Sequence, residues 1–103
     1  MIIVMNRFRV TPGREVDFEE AFKGRARLID GMPGFLGLDV LRPSEPGGVF
    51  ISMARWAGMA EFKAWTESEQ FRQGHGRRHP GMFVGPPQLE IYEVVDSTFT
   101  RKE

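Results

Sequence analysis

Two side chains that could take part in chemistry, Trp65 and His75, lie ten residues apart in a chain of 103 residues without cysteine. In an unbroken helix they would be about 15 Å apart along the axis and roughly 80° apart around it. Thr66 and Glu69 have the spacing of a capping box, and Ser68 is a second N-cap candidate. We therefore expect the helix to break just after Trp65 and to restart, which can turn the indole and the imidazole toward one cavity for a large flat ligand. The alternative is that Trp65 is a core residue and His75 an exposed helix-end residue.

Two further residues stand out because their chemistry does not fit their neighbours. Asn6 is the polar member of an otherwise apolar strand face, and a buried amide must be hydrogen-bonded. It either bonds to neighbouring backbone or serves a ligand. Arg25 falls near the inner stripe of a predicted helix, one turn from Phe22. It is either a surface arginine whose stem packs on apolar side chains or the partner of an anionic ligand group.

The composition excludes several classes of function. The formal net charge is zero and no basic stripe is present, so we expect no nucleic-acid partner. No apolar run reaches membrane-spanning length and the first residues do not resemble a signal peptide, which favours a cytoplasmic protein. The lack of cysteine excludes thiolate chemistry. With only His75 and His79, a zinc site built from several histidines is not expected within one subunit.

The hydrophobic periodicity predicts four strands and two helical regions in one domain, residues 1–96, followed by a tail, residues 97–103. The predicted strands are Ile2–Val10, Phe35–Leu41, Val49–Trp56 and Leu89–Val95, and the predicted helices are Arg14–Ile29 and a broken helix that starts near Met59. The order is β-α-β-β-α-β. This is the ferredoxin-like α+β class, an antiparallel sheet with helices on one face.

The first three strands are apolar on both faces. One set of positions is Phe35, Leu41, Phe50 and Trp56, and the other is Leu36, Leu38, Val40, Val49, Ile51 and Met53. Helices can cover only one face, so the other face needs a second cover, and a second copy of the same sheet provides it. We therefore predict a homodimer with the two sheets packed face to face.

The residues named so far resemble a known family. Asn6, Trp65 and His75 resemble the Asn-Trp-His triad of the IsdG-type haem-degrading monooxygenases. The Pro-Gly-Phe-Leu-Gly run, Pro33–Gly37, and the strand that ends in Trp56 look like the wider antibiotic biosynthesis monooxygenase superfamily. The resemblance implies a dimeric α+β barrel with one active site per subunit, between the helices and the sheet. Haem would be both substrate and cofactor.

The resemblance also implies a role for each residue. His75 would be the axial ligand of the haem iron, and Asn6 would donate a hydrogen bond on the distal side. Trp65 would press on the porphyrin and ruffle it out of plane. Arg25 would contact a propionate, and Phe22 and Phe71 complete the expected haem-binding set. No Gly-x-Gly-x-x-Gly fingerprint is present, so electrons would come from an external donor, an unidentified reductase.

Three alternatives stay open at this point. His79 is a competing axial ligand. The chain could be a cofactor-independent monooxygenase that acts on a quinol or polyketide-like aromatic, with Asn6, Trp65 and His75 activating substrate and oxygen. It could also be a non-catalytic protein that binds haem or another small aromatic.

Overall fold

The computed structural model describes residues 1–25, 27–74 and 79–99. Its strands are β1 (Ile2–Phe8), β2 (Phe35–Leu41), β3 (Phe50–Trp56) and β4 (Gln88–Glu93). Its helices are α1 (Glu15–Lys23), a short 3₁₀ helix (Leu28–Gly31), α2 (Met59–Thr66) and α3 (Glu69–Gly74). All three strand pairs are antiparallel, and the order across the sheet is β2-β3-β1-β4. This confirms the ferredoxin-like α+β prediction.

Strand register decides which side chains share a face. Asn6 pairs with Ser52 on β3 and with Leu89 on β4. Side chains alternate along each strand, and alternate residues of β1 and β3 therefore form the face that packs against the helices. We call this the inner face; on these two strands it consists of Ile2, Val4, Asn6, Phe8, Phe50, Ser52, Ala54 and Trp56.

The first helix is shorter than the sequence pattern predicted. The helix expected over Arg14–Ile29 ends at Lys23, and Leu28–Gly31 forms a separate 3₁₀ helix. Gly24 follows the last helical residue, where its low helix propensity favours a stop. Arg27 then takes a left-handed backbone conformation with φ of +57°, which no helix can continue. Arg25 consequently lies in the connection after α1 rather than on a helical stripe.

Strand β2 carries an irregularity that overturns part of the predicted face assignment. Phe35 and Leu41 were expected on one face and Leu38 and Val40 on the other. The register shifts between Phe35 and Gly37, and a bulge of this kind reverses the alternation beyond it. Leu38 and Val40 therefore share the inner face with Phe35, and Leu41 is on the opposite side, as the pairs Phe35–Trp56, Leu38–Ala54, Val40–Ser52 and Leu41–Ile51 establish.

The break after Trp65 is confirmed, but the predicted capping box is wrong. Helix α2 ends at Thr66 and α3 begins at Glu69. Ser68 caps α3, since its Oγ accepts a hydrogen bond from the Phe71 N–H at 3.1 Å. The Thr66 hydroxyl instead donates back to a carbonyl of α2. Ser68, the second predicted N-cap candidate, is therefore the N-cap of α3.

The apolar interior falls into two clusters. One contains Ile2, Val4, Ile29, Ala54, Trp56 and Trp65, and the other contains Phe18, Phe50 and Met82. Phe18 and the four rings around it hold the second cluster together through contacts with centroid separations of 5.0–6.1 Å, among Phe8, Phe18, Phe22, Phe50 and Phe83. A domain of this size usually has one contiguous core.

No helix in the described ranges is long and apolar enough to cross a membrane.

Candidate functional site: an aromatic cavity between sheet and helices

A cavity of about 750 Å³ lies between the inner face of the sheet and the helices, and both core clusters contribute to its walls. This volume is within the range of about 300–1,000 Å³ that small-molecule sites occupy. Its walls are mostly aliphatic and aromatic. The cavity can therefore take a large ligand whose body is apolar.

Five of the six predicted site residues line this one cavity: Asn6, Phe22, Arg25, Trp65 and Phe71. The sixth, His75, lies outside the described residues. His79, the competing histidine, is exposed and also lines the cavity. The structure thus brings the described members together, while their roles stay predictions.

Trp65 forms an aromatic wall at the end of α2. Its residue surface is 7% exposed. It stacks on Trp56, with ring centroids 6.5 Å apart and an interplanar angle of 29°, and it meets Phe71 edge-on at 5.5 Å. The contact between Trp65 and Phe71 depends on the break between α2 and α3, because the break places Phe71 of α3 against the indole. Trp65 is therefore both a core residue and a cavity residue, which the sequence had presented as alternatives.

Asn6 reaches the cavity from the middle of β1. Asn6 is half-buried and lies between Ser52 on one neighbouring strand and Leu89 on the other. Within residues 1–25, 27–74 and 79–99, its side-chain amide makes no hydrogen bond. The first explanation offered for a polar residue here, a bond to neighbouring backbone, is absent from this part of the chain. The amide is therefore free to bond a ligand.

Arg25 is held beside the cavity by Phe22. Its Nη1 donates to the Phe22 carbonyl at 2.9 Å, and its guanidinium lies 5.4 Å from the centroid of the Phe22 ring. Its Nε is buried without a hydrogen-bond partner among the described residues. A buried guanidinium donor without an acceptor favours an anionic partner such as a carboxylate.

The charges around the cavity are of one sign. Arg25 and Arg27 line it, and no Asp or Glu is among its lining residues in the part of the chain that the structure describes. Arg27 already pairs with Asp30 at 2.8 Å. Arg25 forms no ion pair with any described residue. The cavity thus combines an apolar interior with a cation, Arg25, that has no ion-pair partner among the described residues.

Sequence reasoning missed two polar groups of this site. Ser52 is 6% exposed and lines the cavity, and the indole N–H of Trp56, a residue with no exposed surface, has no hydrogen-bond partner among the described residues. The alternation of β3 could have identified Ser52, since it is the polar member of an inner-face set that includes Phe50, Ala54 and Trp56. No set of three or more His, Cys, Asp or Glu side chains suited to a metal ion occurs in the described ranges.

Comparison with protein families defines the class to which this fold and site belong. The family model for antibiotic biosynthesis monooxygenases matches residues 1–77. The chain belongs to the antibiotic biosynthesis monooxygenase family, which confirms the superfamily half of the sequence resemblance.

Individual relatives narrow the comparison. A "Heme-degrading monooxygenase" from Shouchella clausii is 36% identical, with the alignment covering 91% of this chain and 90% of the relative. A "Heme oxygenase (mycobilin-producing)" from Mycobacterium tuberculosis is 28% identical, with 98% of this chain and 96% of the relative covered. The solved structure of the heme-degrader MhuD from Mycobacterium tuberculosis, with two hemes in its active site, superposes with a TM-score of 0.82 at 26% identity over 96% of this chain and all of that one.

Proposed function

We propose that this chain is a haem-degrading monooxygenase, which binds haem, opens the porphyrin oxidatively and releases iron. The observation that carries the proposal is the combination of flat aromatic walls, an apolar interior and Arg25, whose Nε is buried without a partner among the described residues, at a cavity whose described lining has no acidic residue. Haem has the matching chemistry, a flat apolar ring with carboxylates at one edge. The names of the relatives agree with this choice.

Each predicted site residue has a task in this proposal. The Trp65 indole, backed by Trp56 and fixed by Phe71, is a rigid surface against which a porphyrin is pressed. The amide of Asn6 donates a hydrogen bond from the sheet, and Arg25 pairs with a propionate while Phe22 holds its guanidinium. His75 is the proposed axial ligand. Haem itself supplies the oxygen chemistry when bound, so the protein's part is binding, orientation and exclusion of water.

The reaction also needs electrons from outside the chain. We propose an external donor, a reductase that the sequence does not identify. The cytoplasmic location expected from the composition stays a prediction, as does the division into a domain of residues 1–96 and a tail.

We propose a homodimer that covers the outer face of the sheet, the side away from the helices. At its centre Met5 pairs with Met53, and around that pair lie Ile3, Ile51, Leu41 and Tyr92. The apolar members of this group are half-buried or exposed in a single subunit. A second copy of the same surface would bury them, as the both-faces pattern of the sequence predicted.

The charged side chains of the outer face are already paired within the subunit. Arg7 Nε bonds Glu90, and the Tyr92 hydroxyl donates to the same carboxylate at 3.1 Å. The hydrogen bond from Arg7, aided by that from Tyr92, lowers the pKa of Glu90, and the bond to Glu90 raises the pKa of Tyr92. Charges that are paired before association can enter an interface at a lower desolvation cost than single charges.

Titration of the purified apoprotein with hemin tests the function. We expect a saturable Soret band at one or more equivalents per subunit. That band should bleach on addition of reductant under air and persist under nitrogen. Catalase added to a parallel sample excludes bleaching by free hydrogen peroxide.

The same experiment separates the alternatives. A Soret band that survives reductant and oxygen would indicate a protein that binds haem without turnover. The absence of any hemin complex, together with oxygen consumption on a quinol, would indicate the cofactor-independent monooxygenase. Either result overturns the proposed function.

A further inference from the structure

Ser52 is a buried polar residue whose hydroxyl has no task within the described fold. The residue is 6% exposed, it lines the cavity, and its hydroxyl makes no hydrogen bond to any residue in the described ranges. Its inner-face neighbours along β3 are Phe50 and Ala54, which offer no polar partner from their side chains. The Ser52 oxygen is not among the fully buried unbonded atoms of the described residues, so it keeps surface open to the cavity and can bond a ligand there.

Ser52 lies beside Asn6, and both side chains are on the same face of the sheet. The two residues are directly opposite each other on adjacent antiparallel strands, so their Cβ atoms are roughly 4.5–5.5 Å apart and point to the same side. Both line the same cavity, and both lack a side-chain hydrogen bond within the described residues. Two adjacent groups in this state can converge on one small polar atom of a ligand.

We propose that Ser52 is a second hydrogen-bonding residue of the ligand site and forms, with Asn6, a two-point polar contact on the floor of the cavity. This inference rests on the proposed haem-binding function. The ligand of this contact would be a small hydrogen-bond acceptor bound to the haem in this cavity. The Asn6 amide and the Ser52 hydroxyl both donate to that acceptor. Because Val4 and Ala54 flank the pair with apolar side chains, the contact is confined to this one position.

Fluoride is a suitable probe, because it binds ferric haem as a small anion that accepts hydrogen bonds and undergoes no turnover. Fluoride is titrated into the hemin complexes of the wild type and of Ser52→Ala, with the absorption spectrum as readout. We expect Ser52→Ala to weaken fluoride binding about tenfold, the size of one hydrogen bond to a charged acceptor. Ser52→Thr, which keeps the hydroxyl, should restore most of the affinity.

Two controls make the test specific to position. Ala54 lies two residues along the same face of β3, so the double variant S52A/A54S returns a hydroxyl at the wrong place and should stay as weak as Ser52→Ala. In the Asn6→Ala background, the loss caused by Ser52→Ala should shrink, since groups that share an acceptor are not additive. Melting temperature and hemin stoichiometry establish that each variant is folded and loaded.

The outcomes separate this inference from the proposed function. A hemin complex whose fluoride affinity is unchanged by Ser52→Ala overturns the role of Ser52 and leaves haem binding intact. Full recovery in S52A/A54S, or strict additivity with Asn6→Ala, overturns the two-point contact. Failure of the wild type to form a hemin complex overturns the proposed function and this inference with it.

Discussion

Trp65 and Trp56 are a stacked pair that both border the cavity, but Trp65 keeps some exposed surface and Trp56 has none. We expect Trp65→Phe to keep most of the hemin affinity and to slow degradation at least several-fold, because the smaller ring presses less on the porphyrin. Trp56→Phe is the matched control, and there the loss should fall on stability, with roughly 1–3 kcal/mol as the usual range for a reduced core residue. Melting temperature and single-turnover bleaching are measured on the same preparations.

The reverse pattern would contradict the role of Trp65. If Trp65→Phe lowers the melting temperature as much as Trp56→Phe does, and turnover per folded molecule is unchanged, Trp65 is a packing residue only.

The axial ligand is a choice between two histidines. His75 lies outside the described residues, and His79 lines the cavity while being exposed. We expect His75→Ala to shift or abolish the Soret band and to stop degradation, because iron in haem needs an axial donor. His79→Ala should leave both nearly intact. If only His79→Ala changes the Soret band and stops degradation, His79 is the axial ligand and the haem-binding proposal still holds. If neither variant changes the spectrum, neither histidine is the axial ligand.

At the scale of the elements, α1 is fastened to the end of β2 by one ion pair. Arg42, the residue after β2, donates to Glu19 of α1 through Nε at 2.6 Å and also through Nη2. The hydrogen bond from Arg42, more than its charge alone, lowers the pKa of Glu19. A carboxylate with a lowered pKa in the folded state stabilises that state above the ordinary glutamate pKa of about 4.3, and the gain is lost as the pH falls through the folded-state pKa.

Glu19→Gln should therefore lower the melting temperature slightly at pH 7, and its difference from the wild type should shrink as the pH is lowered from 7 to below the ordinary glutamate pKa of about 4.3. The measurement is thermal unfolding across that range at low salt. Glu20→Gln is the matched control, since it removes the same charge from the same helix at a residue without an ion pair to the described part of the chain. A difference from the wild type that does not shrink as the pH falls would show that Glu19 acts through packing rather than through its charge.

The elements also separate what the sequence could predict from what it could not. The order of elements along the chain and the break after Trp65 follow from local signals, the periodicity and the cap candidates Thr66 and Ser68. The end of α1 at Lys23 was missed because an amphipathic pattern continues through Gly24, although the backbone does not. The reversed faces of β2 were missed because a bulge depends on how β3 pairs with it, and pairing is not local.

The site divides in the same way. Asn6 was found because it interrupts an apolar alternation, and Arg25 was found near the cavity for a wrong reason, since it lies after the helix rather than on its stripe. Ser52 was missed although the alternation of β3 marks it as the polar member of an apolar face, and its place opposite Asn6 follows only from the register. Register, not composition, identifies such a pair.

At the scale of the whole molecule, the outer face of the sheet determines assembly. We expect a dimer at micromolar concentration, and Met53→Glu should convert it to a monomer, because it places a charge beside Met5 at the centre of the apolar group. Met59→Glu makes the same substitution at an exposed methionine at the start of α2 and should stay dimeric. Sedimentation velocity distinguishes the two states. A stable wild-type monomer, or a dimeric Met53→Glu variant, would contradict the interface.

The cavity between the two core clusters has a consequence for the lifetime of the protein in a cell. A ligand in the cavity touches both clusters and completes the interior, so it stabilises the folded state by about 2.7 kcal/mol at a free concentration one hundred times its dissociation constant. A substrate that the protein destroys withdraws this stabilisation as it is consumed. Proteases that attack the transiently open chain would then remove the protein faster after its substrate is exhausted, so abundance would follow supply without any regulator.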